Sequence, residues 1–385
     1  MSPAFPAEEF GSRVDRLQAV LRQEGVDVAV VHTPENVCYL SGHATPGYYT
    51  YQCLVVPATG EPAVLTRETE TVNARATTHL QQIHGYPDAL DPLGATVDLV
   101  RELVPDARIV GLEENSWFLP PVAHARLAAQ LGGVKHDKPF ALDGVLAELR
   151  VLKSDTEIAK IRAAATVTNA GMLAAVEAVQ VGARERDIAA AAFAGLVSYG
   201  SEYFGMEPFV ASGPRSGTIH ASWTDRVVAR DEPVLLEMAA SRDRYHAPLM
   251  HTVWHGRLTG DLARMAEACA AARQATVEMV RPGATPAQAH ETCRRVIGDH
   301  GMLHTYRKRS GYSVGIAFAP DWGEGHLLSL KETEHREFQP RMVVHVVPTL
   351  RLEGVGGIGF SATVLVTEQG NEILTTCPVG PVLGS

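Results

Sequence analysis

Side chains that could attack a substrate or move a proton concentrate in the second half of this chain. Glu237 ends the apolar run PVLLE, where a carboxylate is costly unless it is paired or used. It reads as a nucleophile toward an amidine or acyl carbon or as a base that activates water, the alternative being a salt-bridged structural residue. His220 follows SGPRSGTI, and a histidine with a pKa near ~6.5 can both take and give a proton at neutral pH. Its alternative is a loop histidine bonded to backbone. His345 sits inside the strand pattern MVVHVVP, either as a satisfied core histidine or as a catalyst. Tyr312 could donate its phenol hydrogen to developing negative charge or simply pack, and Gly311 and Gly315 around it imply close backbone approach to a ligand. In YHAPLMH the strand period of two puts His246 and His251 on opposite faces. Tyr245 and His251 share parity and are the pair expected to face inward.

Other motifs carry less. Asp321 to Glu324 (DWGE) reads as a turn with Trp322 as a packing lid. GYSVG mimics a nucleophile elbow, but its flanks read as loop and strand, which disfavours Ser313 as a nucleophile. GGIG at 356–359 is too short and misplaced for a dinucleotide loop.

The elements that must hold these residues fall into two blocks. Residues 14–25 have helical apolar spacing and stop at Gly25, and VDVAVVHTP is a buried strand. NVCYLSG and then QCLVVPATGEPAVLT follow, short apolar runs with a turn on Gly60 and Pro62 that predicts a hairpin. A helix over 70–81, a strand at 109–113 and a helix near 121–131 complete an α/β domain spanning 1–150. Beyond it, helices are expected from 155 to a stop at Gly182, then over 184–198, 260–281 and 286–300. VVARDEPVLLEMAA, YHAPLMHTVWHG, MVVHVVPTLRL and ATVLVTEQGNEIL read as strands. Helix pairs against antiparallel strands make an α+β domain spanning 151–385.

Composition narrows the function classes. The 385 residues, 45% hydrophobic and 20% charged, can fill two cores. With 34 basic and 44 acidic residues the formal charge is −10, which argues against a nucleic-acid backbone binder. No apolar run reaches the ~20 residues of a spanning helix, and the N-terminal residues lack a leader's apolar segment, so no membrane association is expected. Five cysteines with no CxxC pair point to incidental thiols in a reduced, cytoplasmic enzyme.

The order of segments resembles the creatinase/prolidase superfamily along nearly the whole length. The resemblance rests on SGPRSGTIHASWTDR (212–226), DEPVLLEMAASRDRYHAPLMHTV (231–253), GYSVGIAFAPDWGE (311–324), QPRMVVHVVP (339–348) and ATVLVTEQG (362–370). It implies an α/β N-terminal domain followed by a pita-bread catalytic domain, and it puts His220 at the position of the catalytic histidine. The superfamily's metallopeptidases hold two divalent metals with two aspartates, a histidine and two glutamates. Those positions fall here on Glu237, Pro248, Tyr312, Val347 and a point near Ser361, which implies no metal pair and no cofactor.

Creatinase and the ectoine hydrolases lack that metal pair, and ectoine hydrolases have the more similar YHAP, PDWGE and MxxHxxP stretches and the tyrosines at 48, 49 and 51. Gly359 and Ala362 stand where those hydrolases carry acidic residues. The resemblance implies a metal-independent hydrolase of an amidine- or amide-type C–N bond in a small polar metabolite. A lyase or cyclase on the same residues, a non-catalytic binding protein and, last, a metal-dependent aminopeptidase are the alternatives. His220, Glu237 and His345 are the expected catalytic residues. Trp223, Tyr245, His251, Tyr312, Tyr49 and Tyr51 are the expected substrate contacts, the last two brought by the partner of a homodimer.

Overall fold

The structure, a computed structural model, describes residues 4–131 and 139–377. The chain divides into two units, Met1–Arg150 and Val151–Ser385. Along the first, α1 (Ala7–Glu24) stops at Gly25, whose φ of 67° lies in the left-handed region that favours glycine. Then come β1 (Val28–Val31), α2 (Pro34–Ser41), β2 (Cys53–Pro57), β3 (Ala63–Arg67), α3 (Thr71–Thr77), β4 (Gln82–Tyr86) and α4 (Pro92–Leu103). β5 (Val110–Leu112), α5 (Pro121–Leu131), β6 (Phe140–Ala141) and α6 (Asp143–Val151) follow.

The six strands form one sheet in the order β4-β3-β2-β1-β5-β6. β2 and β3 are the antiparallel hairpin about Gly60, whereas β5 runs parallel to β1. The helix expected over 70–81 is shorter, with α3 ending at Thr77; beyond it residues 82–86 form a strand that pairs with β3.

In the second unit, α7 (Asp155–Ala178) begins in a capping box between Ser154 and Glu157. α8 (Glu185–Ser198) leads to a three-stranded antiparallel sheet of β7 (Phe209–Ser212), β8 (Val234–Arg242) and β9 (Tyr245–Val253). Val167, Met172, Ile188 and Leu196 of α7 and α8 pack on Leu236, Met238 and Leu249 of this sheet. After α9 (Gly260–Met279) and α10 (Pro286–Asp299) come β10 (Gly311–Ser313), β11 (Ser329–Leu330), β12 (Val343–Val346) and β13 (Thr349–Leu352). β14 (Gly356–Gly359), β15 (Ala362–Thr367) and β16 (Gly370–Ile373) end the chain of elements.

A second sheet has the order β11-β10-β12-β15-β16, and β13 pairs with β14. MVVHVVPTLRL is thus two strands, split around Pro348, whose nitrogen carries no hydrogen for a ladder. No helix among the described residues is long and apolar enough to cross a membrane.

Candidate active site

Cross-strand register decides which side chains can meet. Glu237 pairs with Phe209 on one side and Met250 on the other, so these three form a row on one face of the three-stranded sheet. That face walls a cavity of about 360 Å³. The opposite wall comes from Tyr312 of β10, from Pro320, Asp321 and Trp322 of the following loop, and from Val347 after β12. His220 and Ile219 complete it from the segment after β7, and Lys308, Arg309 and Arg351 also line it.

Glu237 is 8% exposed, and its carboxylate has no hydrogen bond or ion pair among the described residues. Burial pushes its carboxyl up to about 7, against the pull of the Lys308 and Arg351 charges. Lys308 is pushed down to about 8, again by burial first. Arg351 donates from Nη1 to the carbonyls of Ser216 (2.5 Å) and Thr218 (2.9 Å), while its buried Nε has no partner among the described residues. Three cations therefore share the cavity with two carboxylates, Glu237 and Asp321, and among the described residues none of them forms an ion pair with Glu237, in a chain whose net charge is −10.

His220 has φ 54° and stacks on Phe209, ring centroids 5.7 Å apart. Its imidazole is held below the usual range by burial and then by Arg351 and Lys308, with Asp321 opposing. Tyr312 receives a hydrogen bond from Trp322 Nε1 at 2.9 Å, and its Oη lies 3.0 Å from Nδ1 of its cross-strand neighbour His345. Burial and the nearby Glu237 both raise the phenol's pKa. Asp321 Oδ1 accepts from the backbone N–H groups of Trp322 (2.7 Å) and Gly323 (3.0 Å), which fixes the turn that presents the indole. Glu324 is drawn away into a buried ion pair with Lys153 at 2.7 Å.

The expected residues separate into two groups. His220, Glu237 and Tyr312 share the cavity. His345 is fully buried behind Tyr312 and is not part of the lining. Trp223 lies outside it, edge-on to Phe193. Tyr245 is buried with its hydroxyl on Glu157 at 3.0 Å. His251 pairs with Leu236, so it points to the face opposite Glu237 and packs on Phe360. The inward parity on β9 is that of Met250, not of residues 245 and 251. Gly311 and Gly315 admit protein rather than ligand: a Cβ on Gly315 would come within 2.7 Å of the Glu324 carboxylate. In the first unit, Tyr49 is 80% exposed and Tyr51 bonds Thr96 and His32.

Lys308, Arg309 and Arg351 escaped the reading of the sequence. The basic run RKRSGYS leads directly into Tyr312, and that adjacency was the available signal.

Comparison with known proteins gives the site its context. Residues 13–152 match the creatinase/prolidase N-terminal domain and residues 159–368 match metallopeptidase family M24. An uncharacterised hydrolase/peptidase of Sinorhizobium fredii is 30% identical, with 97% of each chain covered. The ectoine hydrolase of Halomonas elongata is 26% identical, with 98% of each covered. Among solved structures, the dipeptidase PepE of Mycobacterium ulcerans superposes with a TM-score of 0.84 at 22% identity, covering 98% of this chain and 100% of that one. The X-Pro aminopeptidase of Thermotoga maritima gives 0.83 at 22%, covering 96% and 98%. The second unit is thus a pita-bread domain behind a creatinase-type N-terminal domain, and the chain belongs to metallopeptidase family M24.

Proposed function

We propose that this chain hydrolyses an amide- or amidine-type C–N bond in a small metabolite that carries its own negative group, without a metal ion. The observation that carries the reading is Glu237, a buried carboxylate with a pKa of about 7 that faces a cavity and has no hydrogen-bond or ion-pair partner among the described residues. At neutral pH a large share of it is ionised, the form that a base or a nucleophile needs. Attack by Glu237 itself and attack by a water it deprotonates both fit this placement. His220, beside it in the lining, moves the proton to the departing nitrogen. Lys308 and Arg351 take the substrate's negative group, which offsets the excess of cations over carboxylates in the lining.

The metal pair that the family name implies finds a poor donor set. Two divalent cations need several hard anionic ligands. This cavity offers Glu237 and Asp321 against Lys308, Arg309 and Arg351, with Met250 and Val347 apolar. Among the described residues no three His, Cys, Asp or Glu side chains are grouped to hold a metal. No step is therefore routed through one.

The test is turnover on a panel of N-acyl amino acids, cyclic amidines and dipeptides, with and without a chelator. Turnover of a non-peptide member that the chelator leaves unchanged is expected. Two metals per chain by elemental analysis, with activity lost on chelation and restored by metal, would replace this reading with a metallopeptidase.

A further inference from the structure

Behind the cavity wall runs a chain of hydrogen bonds whose hydrogens can be placed one by one. The backbone N–H of Met250 donates to Ser361 Oγ at 2.6 Å. Ser361 Oγ lies 2.7 Å from His345 Nε2, and His345 Nδ1 lies 3.0 Å from Tyr312 Oη. Trp322 Nε1–H donates to that same Oη at 2.9 Å. Ser361 is 3% exposed and His345 0%.

Two arrangements of hydrogens compete. If His345 carried its hydrogen on Nε2, it would donate to Ser361, and the serine's own hydrogen would have no acceptor among the described residues. An unsatisfied buried donor costs roughly 1–3 kcal/mol. With the hydrogen on Nδ1 every group is used: Ser361 O–H donates to Nε2, and Nδ1–H donates to Tyr312. Burial, reinforced by Lys308 and Arg309, holds His345 well below the usual imidazole range, so the ring is neutral and has one hydrogen to place. Tyr312 Oη then accepts two hydrogen bonds, from an imidazole and an indole, and both come from the protein side. Its own hydrogen is left for the cavity that its ring lines.

We propose that Tyr312 is a catalytic hydrogen-bond donor, its hydrogen forced into the cavity by Ser361 and His345 acting as positioning residues. The oxygen or nitrogen that gains negative charge as the C–N carbon is attacked is its target, an assignment that rests on the hydrolase reading above. A preorganised neutral donor of this kind is worth about 10²–10³ in rate. The phenol serves as donor and not as acid, because burial and Glu237 keep it protonated.

The relay can be tested without a substrate. Ring-nitrogen NMR of histidine-labelled protein, with the His345 signals assigned by their loss in His345→Asn, should show a neutral ring with its hydrogen on Nδ1. A hydrogen on Nε2 would overturn the proposal, since the phenol would then donate to His345. On a substrate found by the panel, Tyr312→Phe should lower kcat about 10²–10³-fold with KM nearly unchanged. His345→Leu should lower kcat too, and His345→Gln, which keeps one donor and one acceptor, should recover part of it. A Tyr312→Phe enzyme with wild-type kcat would also overturn the proposal. Wild-type kcat in Glu237→Gln would instead sink the hydrolase reading, and the NMR result would still judge the relay.

Discussion

Two segments of this chain, IVGLE ending at Glu113 and PVLLE ending at Glu237, look interchangeable, and the structure gives them opposite fates. Glu113 is 2% exposed, and its oxygens accept from the backbone N–H of His32, from that of Thr33 (2.8 Å) and from Asn36 Nδ2 (2.6 Å). It ties the end of β5 to the connection between β1 and α2. Glu237 is nearly as buried, but its carboxylate accepts no hydrogen bond among the described residues. Burial raises both carboxyls; at Glu113 the backbone N–H groups of His32 and Thr33 and the side chains of Asn36 and Thr33 oppose it, at Glu237 only the charges of Lys308 and Arg351. Burial of an acid is therefore a weak sign of chemistry. The sign that counts is a buried acid whose lone pairs the protein leaves for something else.

The largest expected effect separates the two. Glu237→Gln, nearly isosteric, should lose about 10³-fold or more in kcat, since both nucleophilic and base roles need the carboxylate. Its melting temperature should hold or rise, because the cost of burying the charge outweighs what Lys308 and Arg351 return, as the raised pKa shows. Glu113→Ala should do the reverse. The donors of His32, Thr33 and Asn36 lose their acceptor at roughly 1–3 kcal/mol each, so stability falls steeply while kcat of the folded fraction stays put. Thermal melts and turnover on the same preparations check both. A Glu113 variant that folds normally and loses turnover would erase the distinction.

How much of this could be read beforehand depends on where the specifying interactions lie. The long helices α7, α9 and α10 are legible because caps and apolar spacing are local: Ser154 and Glu157 form the capping box of α7 three residues apart. α4 is less visible although Asp91 and Pro92 mark its start, and β4 hides because QIHGY is mostly half-exposed and lacks an apolar run. In the site, alternation along β9 correctly divides residues into two faces, but nothing local says which face meets Glu237. That is decided by the pairing of Glu237 with Met250, a cross-strand fact. The cations stayed hidden for the same reason: Lys308 and Arg351 lie 71 and 114 residues beyond Glu237, and only the fold brings them to one cavity.

A middle-sized effect follows from those cations. Activity that needs ionised Glu237 should rise with pH through about 7. Stability should move the other way. The folded state holds this proton more tightly than an unfolded carboxyl near 4.5, so Glu237 costs increasing stability as pH climbs from 4.5 to about 7. Lys308→Met removes a charge that favours the carboxylate, so the activity limb should shift to higher pH. The same variant should raise KM for an anionic substrate about 10–100-fold, matching the ~1.5–3 kcal/mol of a hydrogen bond to a charged group. A pH–rate profile with KM at each point reads both. A limb that stays at its wild-type position would mean that Lys308 does not act on Glu237.

The smallest effect probes the Glu113 side, where everything is expected to be structural. Tyr51 Oη lies 2.7 Å from Thr96 Oγ1 and 3.1 Å from His32 Nε2, and the backbone N–H of that same His32 donates to Glu113. Tyr51→Phe keeps the ring, which meets Tyr86 edge-on, and removes the hydroxyl alone. The loss should be about 0.5–1.5 kcal/mol, a drop of a few degrees in melting temperature. If the network around Glu113 only ties strands together, kcat, KM and the pH limb of Tyr51→Phe should match the wild type. The resemblance to ectoine hydrolases argued the opposite, that Tyr51 reaches a substrate, and a severalfold rise in KM at unchanged stability would support it. That result would give the N-terminal unit a share in the site and break the division between a carboxylate that holds the fold and one left free to react.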